Sequence, residues 1–254
     1  MTSTTEIFSI AGKRAIVTGA SRGIGRAIAL AYAEAGAHVV VIARSEEGLK
    51  ETASLGAEFT GTIDILAADL LAPTSAEAAV VQAAEVLGGI DILVNNAADD
   101  HDSPIEKTEL EGFQRVVDLN LQSCWVMTKA ASPYLKSGGG KVINVASVLG
   151  LVGMRDDSAY IAAKHGLVGL TKAVALEWAR KNVQVNALAP GFVETAMLPQ
   201  LDQEGVADYI RKQVPAGRWS QPEEYAGPAI FLASAASNYM TGQVLVTDGG
   251  LTAQ

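Results

Sequence analysis

The chain has 254 residues and a single cysteine, which excludes an intrachain disulfide framework and a cysteine-built metal site. It is short of positive charge. Its 19 Lys+Arg stand against 28 Asp+Glu, a net charge of -9, which speaks against a nucleic-acid or anionic-membrane surface. No apolar run approaches the ~18 residues of a membrane-spanning helix, and the run 37–43 stops at Arg44, as a buried strand would. Residues 1–10 lack both a basic start and an apolar stretch, so no secretory signal is expected and a cytoplasmic protein is. No internal repeat, low-complexity tract or Pro/Ser-rich linker is visible. Residues 1–254 therefore read as one domain. With 49% hydrophobic and 19% charged residues, the composition belongs to a folded chain.

What is present is alternation. Short β-branched runs predict strands at 14–18, 38–42, 63–67, 91–95, 141–146, 183–189 and 244–247. Between them, alanine- and leucine-rich segments predict helices at 23–36, 75–87, 108–135, 158–180 and 222–233, with an interruption expected near Pro133. Near-continuous apolar strands separated by helices imply a parallel sheet covered on both faces, an α/β doubly wound Rossmann-type fold of about seven strands.

Directly after the first strand, residues 18–25 read TGASRGIG and open a helix. Glycines 19, 23 and 25 permit a tight turn that brings backbone N–H groups to a pyrophosphate, and the helix N-terminus adds partial positive charge. Ser21, Arg22 and Ile24 lie inside this turn. The second strand ends Ala43-Arg44-Ser45, without the acid that NAD-binding units commonly set against the adenosine ribose. Arg44 and Arg22 instead suit the 2′-phosphate of NADP. NAD remains the alternative. Asp69, followed by Leu70 at the end of the third strand, is placed to accept from an adenine amine.

Ser147 follows the fifth strand, and Tyr160 precedes Lys164 by four residues, so the last two share one helix face. A free tyrosine has a pKa near ~10, and an ammonium beside it is expected to lower that value.

Together with TGASRGIG, these residues resemble the short-chain dehydrogenase/reductase family from Gly12 to Gly250. Further marks follow in order: Asn95-Asn96-Ala97-Ala98, Asn120, Pro190-Gly191 with Val193 and Thr195, and Asp248-Gly249-Gly250. The resemblance implies that Tyr160 is the general acid in ketone reduction and the base in alcohol oxidation. It implies that Lys164 binds the nicotinamide ribose and that Ser147 polarises the carbonyl. Asn120 would hold a proton-relaying water. Asn96, Ala97, Ala98, Pro190, Gly191, Val193 and Thr195 would face the cofactor. It further implies an oxidoreductase acting on a small-molecule ketone or alcohol, and a homo-oligomer, with a tetramer expected. Ala98 departs from the family's usual glycine, which puts the local backbone geometry in question.

Asp99-Asp100-His101-Asp102 holds metal-ligand types, but consecutive side chains diverge, so the segment reads as a solvated loop near the substrate entrance and no metal is expected. His165 reads as structural, Cys124 as a buried small hydrophobe, and Trp125 and Trp178 as core or subunit contacts. A substrate loop is expected at about 192–216. Leu149, Leu151, Val152 and Met154 suggest an apolar wall. Candidate substrates are a 3-oxoacyl thioester, a cyclic or aromatic ketone, and a sugar or polyol. A silent nucleotide sensor on the same fold is the rival class, and the intact Asn120, Ser147, Tyr160 and Lys164 argue against it.

Overall fold

The structure, a computed structural model, describes residues 3–195 and 206–253. Among these, seven parallel strands form one sheet: β1 (Arg14–Thr18), β2 (His38–Ala43), β3 (Thr62–Ala67), β4 (Ile92–Asn95), β5 (Gly140–Val145), β6 (Val183–Pro190) and β7 (Val244–Thr247). Their spatial order is β3-β2-β1-β4-β5-β6-β7. The chain direction reverses between β1 and β4, and that is where a doubly wound sheet opens a crevice at its carboxyl edge. Register is fixed at this junction by Val17, which lies between Val41 of β2 and Val94 of β4.

Alternation along the strands explains why helices cover both faces. Val17, Val39 and Val41 point into one buried cluster, with Ile28, Tyr32 and Tyr225. Their chain neighbours Ile16, Val40 and Ile42 point into another, with Val80, Met127 and Trp178. The first face is covered by α2 (Gly23–Glu34) and α9 (Ala226–Ala233), the second by α4 (Pro73–Leu87), α6 (Ser123–Gly138) and α7 (Ser158–Trp178). Shorter elements are α1 (Thr4–Ile7), α3 (Glu46–Leu55), α5 (Leu110–Val117) and α8 (Val206–Gln213).

Three features differ from the sequence expectation. Helix α3 was not expected, although Ser45 followed by Glu46 and Glu47 is an N-terminal signature; the Ser45 hydroxyl accepts from the Gly48 N–H at 3.1 Å. The helix predicted for 108–135 is broken not at Pro133, which lies inside α6, but at Asp118–Gln122, a π-helical turn between α5 and α6. Proline removes one N–H from α6, and the flanking Ala131 and Leu135, both fully buried, hold the helix to the sheet regardless. The segment predicted as one helix at 222–233 starts as a 3-10 turn (Pro222–Tyr225) before α9. Of the expected substrate loop, residues 196–205 lie outside the described residues.

A buried polar chain ties the central strands to their covering helices. Asn95 Nδ2 donates to Thr128 Oγ1 (3.1 Å) and Asn144 Oδ1 (2.8 Å), and Asn144 Nδ2 donates to Thr171 Oγ1 (2.8 Å). It links β4, β5, α6 and α7, among them the strands and the helix that carry Asn96, Ser147, Tyr160 and Lys164. Asn144→Ala leaves the Asn95 and Thr171 groups without their partner inside the core. It is expected to lower unfolding free energy by about 1–3 kcal/mol in chemical denaturation.

Candidate active site

The glycine turn is packed against the end of β4. A Cβ on Gly25 would lie 2.5 Å from the Gly19 carbonyl oxygen, and one on Gly19 would lie 2.8 Å from Ala97 Cα. Gly19 also has φ +64°, in the region that favours glycine. Thr18 and Asn96 lock this contact. The Thr18 hydroxyl accepts from the Asn96 and Ala97 N–H groups at 2.8 and 3.0 Å, while Asn96 Nδ2 donates to the Thr18 carbonyl at 2.9 Å. Arg22 is the N-cap of α2 and makes no side-chain cap bond, which leaves the N–H groups of the first turn facing outward. Ala98 adopts no left-handed backbone, since Asp156 and Asn182 are the non-glycine positions with positive φ among the described residues. The methyl group that departs from the family pattern therefore brings no backbone strain.

The turn forms one end of a cavity of about 880 Å³. Every residue nominated from sequence for the cofactor or for catalysis lines it except Gly25, which sits behind the turn, and Asn120. Arg22 and Arg44 are exposed on the wall, and neither pairs with a carboxylate among the described residues. Arg26, also on the wall, is committed to Glu51 (2.6 Å) and Thr52 Oγ1 (3.0 Å). Two guanidinium groups thus remain available for an anion and one does not. Asp69 uses Oδ1 to accept from the Leu71 N–H at 3.1 Å. Ser45 both lines the cavity and caps α3.

At the other end, the first turns of α7 present Tyr160 and Lys164 on one face, beside Ser147 at the carboxyl end of β5. Lys164 is only 2% exposed, and its Nζ donates to the Val145 carbonyl at 2.9 Å. Burial pulls its pKa down to about 8. The Lys164 ammonium lies 5.2 Å from the centre of the Tyr160 ring. Tyr160 itself departs from expectation: its pKa is raised, not lowered. Burial is the main cause, the negative Asp100 adds to it, and a hydrogen bond with Ser147 opposes it. The sequence had named the ammonium but not the desolvation of the phenol or the acid beside it.

Asn120 lies in the π-helical turn and is fully buried. Its Nδ2 donates to the Asp99 and Val116 carbonyls at 2.7 and 2.9 Å, while its Oδ1 finds no partner. The loop after β4 is solvated as expected at His101 and Asp102, which are exposed, but Asp99 and Asp100 are partly buried. Asp99 ion-pairs with Arg115 at 2.8 Å and anchors Asn120 through its carbonyl, and Asp100 lines the cavity. Across from it, Asp157 is 3% exposed and lines the same cavity, near enough to Asp100 for each carboxyl to act on the other's protonation. Burial and the charge of Asp100 push Asp157 up to about 8. Sequence reasoning missed Asp157, because Asp100 and Asp157 are far apart in the chain and no local pattern joins them.

The remaining assignments divide. Leu149 and Met154 line the cavity, while Leu151 and Val152 are exposed outside it, so the apolar wall is smaller than expected. Cys124 is buried and free, His165 bonds the Ile161 carbonyl at 3.0 Å, Trp178 is in the core, and Trp125 is half-exposed. No cluster of three or more His, Cys, Asp or Glu side chains is arranged to hold a metal among the described residues.

Comparison with known proteins agrees with this geometry. A family model described as "Enoyl-(Acyl carrier protein) reductase" matches residues 19–252. The 2-dehydro-3-deoxy-D-gluconate 5-dehydrogenase of Bacillus subtilis is 42% identical over 249 residues, covering 96% of each chain. The 3-oxoacyl-[acyl-carrier-protein] reductase FabG of Vibrio cholerae is 40% identical, covering 96% of this chain and 98% of its own. A gluconate 5-dehydrogenase from Burkholderia cenocepacia, solved with NADP and tartrate, is 36% identical, covers 99% of this chain and 100% of its own, and superposes with a TM-score of 0.93. A doubly wound sheet with a glycine-turn cradle, in a chain with such relatives, defines an NAD(P)-dependent oxidoreductase. The chain belongs to the short-chain dehydrogenase/reductase family.

The raised Asp157 carboxyl has a consequence for stability. Between the ordinary carboxylate pKa of ~4 and about 8, the folded chain holds a proton that the unfolded chain has lost, so this group's stabilisation fades as pH rises through that window. Asp157→Asn removes the titration. Thermal melts are expected to show wild type losing more stability than the variant from pH 4 to pH 8.

Proposed function

We propose that this protein transfers hydride between NADP(H) and a small carbonyl compound or secondary alcohol. The reading rests on one observation above all: Ser147, Tyr160 and Lys164 open onto the same cavity as the glycine turn and the two unpaired arginines. The residues fit the cofactor. The backbone of the turn admits no Cβ at Gly19 or Gly25, and the uncapped N-terminus of α2 suits a pyrophosphate. Arg22 and Arg44 supply the donors for a 2′-phosphate. Asp69 has a free carboxylate oxygen for the adenine amine. Asn96, Ala97 and Ala98 on one side, and Pro190, Gly191, Val193 and Thr195 on the other, flank the path to Tyr160.

When bound, the cofactor supplies the hydride. The chain does the rest. Tyr160, protonated at neutral pH, gives its hydroxyl proton to the carbonyl oxygen in reduction and takes one back in oxidation. Ser147, 8% exposed, donates to the same oxygen and fixes its position. Lys164 holds the ribose hydroxyls and lends positive charge to the Tyr160 oxygen. Asn120 Oδ1, buried without a donor, holds a water that returns protons toward Lys164.

A second reading is an NAD(H)-dependent sugar or polyol dehydrogenase; its substrate side, though not its cofactor, is favoured by relatives named for gluconate and 2-dehydro-3-deoxy-D-gluconate. The relatives named for 3-oxoacyl-[acyl-carrier-protein] reduction favour the ketoreductase side. We further read residues 1–254 as one catalytic domain working in the cytoplasm. A homotetramer paired through the long helices is supported by half-exposed Trp125 on α6 and by Leu110 and Phe113 on α5. No helix among the described residues is long and apolar enough to cross a membrane.

Two outcomes test the assignment. Tyr160→Phe is expected to lower kcat by about 100- to 10,000-fold while NADPH still quenches protein fluorescence. Arg44→Asp is expected to raise KM for NADPH by about 10- to 100-fold and to leave that for NADH nearly unchanged, read in parallel steady-state assays.

A further inference from the structure

The proposed hydride transfer makes no use of the two carboxyls at the substrate end of the cavity. Asp100 comes from the loop after β4, and Asp157 stands three residues before Tyr160. Their segments are fastened together: Ser103 N–H donates to the Asp156 carbonyl at 2.6 Å, and Ser103 bridges Asp157. Asp157 occupies the N-cap of α7 yet caps nothing, although aspartate at that place ordinarily accepts from the first turn. Its carboxyl instead stands beside Asp100 on the cavity wall. Oδ1 has no donor, although the residue is only 3% exposed and lines the cavity.

Two interacting carboxyls on one cavity wall hold one proton between them at neutral pH, which leaves one negative charge and spare acceptor capacity. Asp102 adds to that charge and Arg115 is committed to Asp99, so the Lys164 ammonium, which also donates to the Val145 carbonyl, is the cation that acts on Asp100. Asp100 Oδ1 takes the His101 N–H at 2.6 Å, so the donor still wanting is for Asp157. A substrate hydroxyl beside the reacting carbon offers such a donor. A carboxylate in the same place offers only acceptors and a like charge.

We propose that Asp100 and Asp157 form a hydroxyl-recognition subsite that selects an uncharged α-hydroxyketone, or the corresponding vicinal diol, over a substrate with a carboxylate on that carbon. The inference rests on the hydride-transfer reading and names the substrate class for it. It also separates this chain from what the names of its sugar-acid relatives suggest.

The test uses the full chain and two matched series: hydroxyacetone, acetone and pyruvate, and 2-hydroxyacetophenone, acetophenone and phenylglyoxylate. Wild type is expected to reduce the hydroxyketone with at least ~10-fold higher kcat/KM than the carboxylate, the scale of one charge-assisted hydrogen bond. In Asp100→Asn/Asp157→Asn, kcat/KM for the hydroxyketone is expected to fall at least ~10-fold more than for the plain ketone, with the gap to the carboxylate narrowed. NADPH affinity, read by fluorescence, reports whether the variant is folded. Wild type that turns over the carboxylate as well as the hydroxyketone overturns the subsite and leaves hydride transfer standing. So does a double variant, folded by the NADPH readout, whose losses are equal across a series. Absence of turnover across all six compounds with both NADPH and NADH overturns the hydride-transfer reading, and the subsite with it.

Discussion

A buried ammonium is the constraint around which the rest is arranged. Lys164 lies 2% exposed between α7 and the end of β5, with the Val145 carbonyl as its hydrogen-bond acceptor. Burying a charge this way is costly, and the cost shows in a pKa drawn down to about 8. The position is held by what surrounds it. The Asn95, Asn144 and Thr171 chain binds β4 and β5 to α7, and Gly150 packs so close to α7 that a Cβ there would lie 2.9 Å from the Lys164 carbonyl oxygen. Given that placement, the helical period brings Tyr160 over the same spot, and the strand ends bring Ser147 and the glycine turn.

Charge is distributed against the overall balance. The chain carries a net -9, yet the cofactor end of the cavity presents Arg22 and Arg44 unpaired, while Arg26 between them is consumed by Glu51 and Thr52. The substrate end presents the opposite sign through Asp100 and Asp157. One cavity therefore has a cationic end suited to phosphate and an anionic end suited to hydroxyl donors, with Tyr160 and Lys164 where the two meet. The raised phenol of Tyr160 belongs to this arrangement, since the Asp100 charge and burial act on it together.

Sequence reading succeeded where the signal is local. The glycine turn, the spacing of Tyr160 and Lys164, and the apolar strands follow from periodicity and turn chemistry, and the resemblance to a family rests on those residues. It failed where the cause is tertiary. Proline at 133 suggested a break, but burial of its neighbours keeps α6 intact, and the break falls at Asn120, where nothing in the local pattern marks a π-helical turn. Asp99 and Asp100 read as solvated, like the exposed His101 and Asp102, because their partners, Arg115, Asn120 and Asp157, lie on other elements. The shift on Tyr160 went the wrong way because a sequence names charges without showing their burial. Helix α3 was different: its cap was written in Ser45, and the signal was there to use.

The central claim is direct hydride transfer between a nicotinamide cofactor and a carbonyl carbon held by Tyr160 and Ser147. Its most direct test is reduction of a ketone panel with NADPH carrying deuterium at each C4 position in turn, with products read by mass spectrometry. Alcohol labelled on the carbinol carbon from one of the two C4 positions is the predicted result. Consumption of NADPH with unlabelled alcohol from both positions would contradict it.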